Sequence, residues 1–166
     1  MEDIKIGKGS VSIWALLAGL GAIFVFISLF LGIFHMETTG WVVIKGSSIS
    51  GLDLLTNKVD GHSVDSFTFW RLMPLFAALL GLATLVLAIL PIFGVNNKGI
   101  KTAFLVCGIV TLVLGILVMF VTASGAVFDG NTDGAKFVKE VGAYFALIGG
   151  IVAALGAALD FFGVKI

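Results

Sequence analysis

The chain has 166 residues, of which 59% are hydrophobic and only 12% are charged. A soluble domain typically carries about 25% charged residues, so this composition excludes a water-soluble protein. Ten Lys and Arg balance ten Asp and Glu, and the resulting net charge of zero argues against the basic face that a nucleic-acid-binding protein needs. We therefore expect an integral membrane protein with a single domain, residues 1–166.

Four apolar stretches are long enough to cross a bilayer, for which a helix needs about 20 apolar residues. They are residues 11–34, 70–93, 102–123 and 138–162, and none contains Asp, Glu, Lys or Arg between its end turns. Because a backbone in lipid must satisfy its own hydrogen bonds, each stretch is predicted to be a helix. The predicted fold class is an all-α membrane protein, an antiparallel four-helix transmembrane bundle.

The distribution of basic residues predicts the orientation of this bundle. With both termini inside, the inner segments hold five basic residues in short stretches, whereas the outer loops hold five over about twice the length. A higher density of Lys and Arg marks the cytoplasmic side. We therefore expect cytoplasmic N and C termini in a plasma membrane. The first stretch exceeds the 7–15 apolar residues of a signal-peptide core, so we expect it to be retained as an anchor.

The first loop, residues 35–69, is the only segment large enough to fold outside the bundle. Residues 41–44 form a β-branched and aromatic run between Gly40 and Gly46, which predicts a strand. Residues 49–55 fit either a second strand or a short surface helix. The loop is therefore expected to form a small β-containing extracellular structure. Its few polar candidates for an enzyme site, namely His35, Glu37, Asp53 and His62, form no nucleophile or acid–base pattern, so no enzyme is predicted.

The third loop carries a pattern typical of calcium sites. Asp129, Asn131, Asp133, Gly134 and Glu140 fit D-x-[DN]-x-[DN]-G-x5-E in full, in which four side chains supply oxygen ligands and the glycine makes the bend. The alternative is an Asx-rich turn that joins two spans. Calcium is therefore the one cofactor for which the sequence offers a candidate site, with Asp129, Asn131, Asp133 and Glu140 as ligands.

The fourth stretch has a row of small residues at four-residue spacing. In lipid, such rows allow helix backbones to approach closely. Two interpretations remain open: tight packing within the bundle, or a docking surface for another subunit. The row consists of Gly142, Ala146, Gly150, Ala154 and Ala158.

The layout of the chain resembles the claudin-like four-span proteins. The matching positions are Trp41 soon after the first stretch, Gly51-Leu52 and Arg71 at the start of the second stretch. The resemblance implies a left-handed four-helix bundle with a small outer β-sheet, in proteins that assemble laterally or adhere between cells. The family carries a disulfide pair after the Gly-Leu element, whereas the single cysteine of this chain, Cys107, lies in the third stretch.

The spans contain no ionisable residue at membrane depth, where such groups mark ion paths and proton relays. We therefore predict a non-catalytic structural or interaction protein, either an accessory subunit of a larger membrane complex or a laterally self-associating protein. Its expected partners are the bilayer and a membrane protein or a second copy, bound through Trp41 and the small-residue row. The alternative is a small transport or sensing protein with calcium in the third loop.

Overall fold

A computed structural model describes residues 3–7, 9–38, 44–59, 62–63, 67–129 and 134–165. The protein is mostly helical. The helices are α1 (Ile13–Ser28), α2 (Gly51–Thr56), α3 (Met73–Ile89), α4 (Lys98–Ala123) and α5 (Val141–Phe161). A 3-10 helix precedes α3 at Phe69–Leu72 and another follows it at Leu90–Phe93, so one continuous helical segment, the α3 segment, covers residues 69–93.

Four of these helices pack side by side around a common interior. The first, α1, packs against α3 and α5, and α4 packs against the same two helices from the other side. Large apolar side chains cover the outside, as at Leu20, Phe120 and Leu155, each more than half exposed. Within the described ranges, three helical segments are long and apolar enough to cross a membrane: Phe69–Phe93, Lys98–Ala123 and Val141–Phe161. These helices and this surface indicate a membrane protein.

The first predicted span is longer than the helix that forms. The prediction of a helix over residues 11–34 is wrong at its end, because α1 stops at Ser28 and Gly32–Thr38 forms strand β3. Ile33 and Phe34 are fully buried in the core of the protein. An apolar side chain is stabilised by leaving water whether it enters lipid or a protein core, so hydropathy alone could not locate this boundary. Similarly, α5 begins at Val141, after two residues of the predicted fourth span that lie in a strand.

The strands lie at the two ends of the bundle. Strand β1 (Ile4–Ile6) pairs with β2 (Gly9–Val11), and the hairpin packs against the 3-10 helix at Leu90–Phe93. At the opposite end, β4 (Ile44–Ser50), β3 and β7 (Ala135–Lys139) form an antiparallel sheet with β3 in the middle. A further two-stranded ladder joins β5 (Lys58–Val59) to β6 (His62–Ser63). The first loop thus contributes strands, and the third strand of the main sheet comes from the third loop. The strand predicted over residues 41–44 lies outside the described residues except at Ile44, where β4 begins.

An aromatic cluster fills one face of the three-stranded sheet. The ring of Phe34 lies 6.1 Å from the ring of Phe128 and 6.0 Å from that of Phe137, measured between centroids. Phe67 contacts Phe128 at 5.1 Å and forms a bridge with it in the backbone. The opposite face of β3 carries His35 and Glu37, because side chains alternate along a strand.

Glycine brings the backbones of α1 and α5 into direct contact. A Cβ atom on Gly21 would lie 2.5 Å from the carbonyl oxygen of Gly149 and from the amide nitrogen of Ala153. A Cβ atom on Gly149 would in turn lie 2.6 Å from the carbonyl oxygen of Gly21, and one on Gly156 would lie 2.6 Å from that of Trp14. Helices that touch in this way rely on small residues at the contact.

The small-residue row of the fourth stretch also packs inside the chain. A Cβ atom on Gly150 would lie 3.0 Å from Cα of Leu112 in α4, and Ala146 is fully buried opposite Gly115. Ala154 is buried and Ala158 is half-buried. Of the two interpretations left open by the sequence, the structure uses this row for packing within the bundle.

Two buried hydroxyl groups inside the bundle lie within hydrogen-bond distance of each other. The hydroxyl oxygens of Thr84 and Thr111, both fully buried, lie 3.1 Å apart between α3 and α4. Each also lies within hydrogen-bond distance of the carbonyl oxygen one turn earlier, at Leu80 and Cys107. Such bonds let a hydroxyl lie in an apolar interior without a partner from outside.

We predict that Gly21→Ala lowers the free energy of unfolding by about 1–3 kcal/mol, because the added methyl group overpacks the contact between α1 and α5. The matched control is Gly19→Ala on the same helix, where the new Cβ would lie 3.4 Å from Cδ1 of Leu85, an ordinary contact. That variant should be unchanged or up to about 1 kcal/mol more stable, because alanine favours the helix. Thermal unfolding in mild detergent measures both, and equal loss in the two variants would contradict the direct backbone contact.

Candidate functional site

The middle strand of the three-stranded sheet brings polar residues from distant parts of the chain together. In the register of the sheet, His35 lies opposite Ser48 of β4 and Val138 of β7. Glu37 lies between Lys45 and Lys136 on the two neighbouring strands. The sheet therefore surrounds β3 with groups that donate hydrogen bonds or carry positive charge.

His35 is the centre of this polar cluster. Its residue is only 5% exposed, and its ring lies between two carboxylates. Nδ1 is 2.7 Å from Oε1 of Glu140, and Nε2 is 3.1 Å from Oε1 of Glu37. The imidazole ring therefore lies within hydrogen-bond distance of both carboxylates and links them.

Glu140 joins the sheet to the bundle. Its backbone is extended at the N-cap of α5, and its N–H group donates a hydrogen bond to the carbonyl oxygen of Ile33 over 2.8 Å. Its carboxylate accepts hydrogen bonds from His35 and from the hydroxyl group of Ser48. Glu140 therefore contacts β3 through its backbone and β4 through its side chain, and α5 begins directly after it.

The surroundings of Glu140 favour its charged form. Burial by itself raises the pKa of this carboxyl group, but the hydrogen bonds from Ser48 and His35 and the positive charges of His35 and Lys45 together outweigh that effect. The pKa of Glu140 therefore lies below its ordinary value of 4.5. Hydrogen bonds and positive charges stabilise the ionised form of a carboxyl group in this way.

Two glycines leave room for the close contact between strand β3 and the start of α5. A side chain at Gly32 would overlap the side chains of Ser48 and Glu140. A Cβ atom on Gly142, the first small residue of the predicted row, would lie 2.7 Å from the carbonyl oxygen of Gly32. The close approach of β3 to the start of α5 therefore requires glycine on both elements.

Of the four proposed calcium ligands, Asp129 and Glu140 belong to the part of the chain that the structure describes. Asp129 is exposed, Asn131 and Asp133 lie outside the described residues, and both oxygens of Glu140 accept hydrogen bonds in the His35 cluster. Strand β7 extends between Gly134 and Glu140, and six extended residues span about 20 Å. In the described part of the chain, no group of three or more His, Cys, Asp or Glu is arranged to hold a metal ion. Calcium binding stays a prediction.

The residues behind the claudin-like resemblance have separate positions. Trp41 lies outside the described residues. Gly51-Leu52 begins α2, which Ser50 and Asp53 cap reciprocally: the amide of Ser50 donates to Oδ2 of Asp53 over 2.8 Å, and the amide of Asp53 donates to Oγ of Ser50 over 3.2 Å. Nη1 of Arg71 donates to the carbonyl oxygens of Leu54 and Leu55, 3.0 and 3.1 Å away. Arg71 therefore holds the end of α2 against the start of the α3 segment.

Of the four polar candidates in the first loop, only two share a site. His35 and Glu37 meet in the cluster, whereas Asp53 caps α2 and His62 is exposed on β6. Sequence reasoning missed the partnership of His35 with Glu140, which is 105 positions away. The only local signal was the spacing of His35 and Glu37, which places both side chains on one face of a strand.

The hydrogen bonds of the cluster are not arranged as in a site for nucleophilic catalysis. Such a site needs the hydroxyl group of the nucleophile next to the base. Here the hydroxyl group of Ser48 donates to the carboxylate of Glu140 and not to the imidazole of His35. The arrangement instead ties two strands of the sheet and the start of α5 together through charged hydrogen bonds.

No protein-family model matches this chain, and no curated protein matches its sequence. The function must therefore be inferred from the geometry and chemistry of the chain itself.

We predict that Glu140→Gln lowers the free energy of unfolding at neutral pH by about 1–3 kcal/mol, the usual cost of losing hydrogen bonds to a charged group. The pKa of Glu140 is depressed in the folded protein, so its ionised carboxylate stabilises the folded state at pH values above the ordinary pKa. This stabilisation is lost as the pH falls through the pKa of the folded protein. The difference in melting temperature between wild type and Glu140→Gln should therefore be full above about pH 4.5 and shrink below it.

Thermal unfolding in detergent across this pH range measures the difference. The exposed carboxylate of Asp129 supplies the control, and Asp129→Asn should match the wild type at every pH. A difference between wild type and Glu140→Gln that stayed constant into acid would contradict the charged role of Glu140.

Proposed function

We propose that the protein is a non-catalytic integral membrane protein that acts by binding a second membrane protein or another copy of itself. The observation that carries this proposal is the closed interior of the bundle. The backbones of α1 and α5 touch, and α4 and α5 meet through Gly115 and Gly150. The helix segments 13–28, 73–89, 102–123 and 141–159 contain no Asp, Glu, Lys or Arg. Transport through such a bundle needs polar or ionisable groups along a path.

We further propose that α1 crosses the bilayer together with the three longer helices. Its 16 residues span about 24 Å as a helix, somewhat less than the hydrocarbon thickness of about 30 Å. The bilayer accommodates a short helix by local thinning at modest cost. The apolar side chains of Leu17, Leu20, Phe24 and Ile27 are all exposed along α1, which supports a lipid-facing surface on this helix as on the others.

In this proposal the two ends of the bundle lie on opposite sides of a plasma membrane. Asp3 and Lys165 line the same pocket, so both ends of the described chain lie at one end of the bundle. The density of basic residues favours that end as the cytoplasmic one. The three-stranded sheet then faces the extracellular side as a small, rigid cap.

The partner remains either a larger membrane complex or a second copy of the chain. The claudin-like resemblance favours lateral self-association, with Trp41 of the first loop as the predicted contact. The exposed rings of Phe69 and Trp70, at the start of the α3 segment, support a role for aromatic side chains near the membrane surface, where such residues are enriched. The small residues of α5 are used within the bundle, so the partner surface is expected on this aromatic end.

Purification in a mild detergent followed by mass measurement tests the proposal. We expect a protein mass above the 17.4 kDa of one chain, and Trp41→Ala should shift the population toward the monomer. The control is Phe93→Ala, which changes a ring that is 71% exposed beside the other end of the bundle. A chain that runs strictly as a monomer, with no bound protein, would contradict an interaction role.

A further inference from the structure

A pocket of about 630 Å³ opens at the end of the bundle opposite the three-stranded sheet. It lies between the start of α1, the start of α4 and the end of α5. We call it the terminal pocket. Its volume lies within the range of about 300–1,000 Å³ that is usual for small-molecule sites. Leu87, Ala88 and Phe104 contribute apolar surface, and the latter two belong to the core between the helices.

Charged groups of both signs line the terminal pocket. Lys101 lies in the first turn of α4 and Lys165 follows α5, while Asp160 lies at the end of α5 and Asp3 precedes β1. Among the described residues, none of these four side chains forms an ion pair with another charged side chain. The two positive and two negative charges that the described residues place around this pocket favour a ligand that itself carries one charge of each sign.

The negative group of such a ligand has a favourable place beside Lys101. The 26-residue helix α4 begins here, and Oδ1 of Asn97 caps it by accepting a hydrogen bond from the amide of Ile100 over 2.9 Å. The start of a helix carries partial positive charge and binds anions. Lys101 adds a full positive charge at the same place, and a phosphate group fits both.

The positive group of the ligand has a place beside Asp160. The carboxylate of Asp160 accepts a hydrogen bond from the hydroxyl group of Ser12, which caps the start of α1. This bond fixes the carboxylate at the wall of the pocket, with its remaining lone pairs open to a donor. A primary ammonium group can donate hydrogen bonds to it, whereas a quaternary ammonium group has no hydrogen to donate.

Trp14 places the terminal pocket near the surface of the membrane. Its indole Nε1 donates a hydrogen bond to the carbonyl oxygen of Val164 over 2.7 Å, and its ring lines the pocket. Tryptophan, with one polar edge and an apolar body, is enriched at the level of lipid headgroups. An apolar floor beneath a charged rim at this level matches an amphiphile.

We propose that the terminal pocket binds a phosphoethanolamine group, with its phosphate beside Lys101 and its primary ammonium beside Asp160. Two molecules present this group: the lipid phosphatidylethanolamine and soluble phosphoethanolamine. This site lies at the opposite end of the bundle from the His35 cluster and serves a different role from the proposed partner surface.

The test uses the full chain, purified and delipidated in detergent, with thermal shift as the readout. Phosphatidylethanolamine, phosphatidylcholine, phosphatidylglycerol and soluble phosphoethanolamine are titrated separately. The pocket variants are Lys101→Gln and Asp160→Asn, whose amide oxygen still accepts the bond from Ser12. The matched control is Lys98→Gln, which removes an exposed lysine from the same helix turn outside the terminal pocket.

The proposal is supported if phosphatidylethanolamine stabilises the protein more than the other two lipids do and if both pocket variants weaken its apparent affinity. The expected loss is about tenfold, the scale of one charge-assisted hydrogen bond. The control Lys98→Gln should keep the wild-type affinity. The same pattern with soluble phosphoethanolamine also supports the site and identifies the free molecule as its ligand. Equal stabilisation by all three lipids, or wild-type affinity in Lys101→Gln, would overturn the proposal, even if Asp160→Asn failed to fold.

Discussion

The direct contact between the backbones of α1 and α5 determines where the other parts of this molecule lie. Gly21 and Gly149 each leave room only for the backbone opposite, and Gly156 does the same against Trp14. Without side chains between them, the two helices are fixed in one alignment, since a shift along the contact would bring larger residues together. The start of each helix is therefore held next to the end of the other.

Both polar ends of the bundle follow from this alignment. At one end Ser12, the N-cap of α1, donates to Asp160 near the end of α5. At the other end Glu140, the N-cap of α5, contacts the strand that follows α1, through Ile33 and His35. Charged groups are costly in lipid, and the pairing of helix ends places Asp160 and Glu140 at the two ends of the bundle, beyond its apolar middle. The closed interior and the two polar ends of the bundle thus follow from the same alignment of α1 and α5.

The sequence predicts the longer helices well and the sheet only in part. Residues 70–93 and 102–123 are apolar beyond Arg71 in the first turn, apart from a few hydroxyl groups, and the helical segments Phe69–Phe93 and Lys98–Ala123 cover them. The end of α1 was missed because Ile33 and Phe34 are equally apolar in lipid and in a protein core. Strand β7 was missed because its partner β3 lies about a hundred residues earlier, and the pairing of His35 with Glu140 has the same cause. Hydropathy reports the environment of a side chain, whereas a site depends on which distant segments meet.

Membrane topology tests the central claim that α1 crosses the bilayer alongside α5. In a Cys107→Ala background, single cysteines placed by Lys5→Cys and Lys45→Cys put an exposed thiol before and after α1. A membrane-impermeant maleimide applied to intact cells, and then to permeabilised cells, reports the side of each thiol. If α1 crosses the bilayer, Lys45→Cys is labelled in intact cells and Lys5→Cys is labelled only after permeabilisation. Labelling of both thiols in intact cells, or of neither thiol until the cells are permeabilised, would place both on one side and show that α1 does not cross.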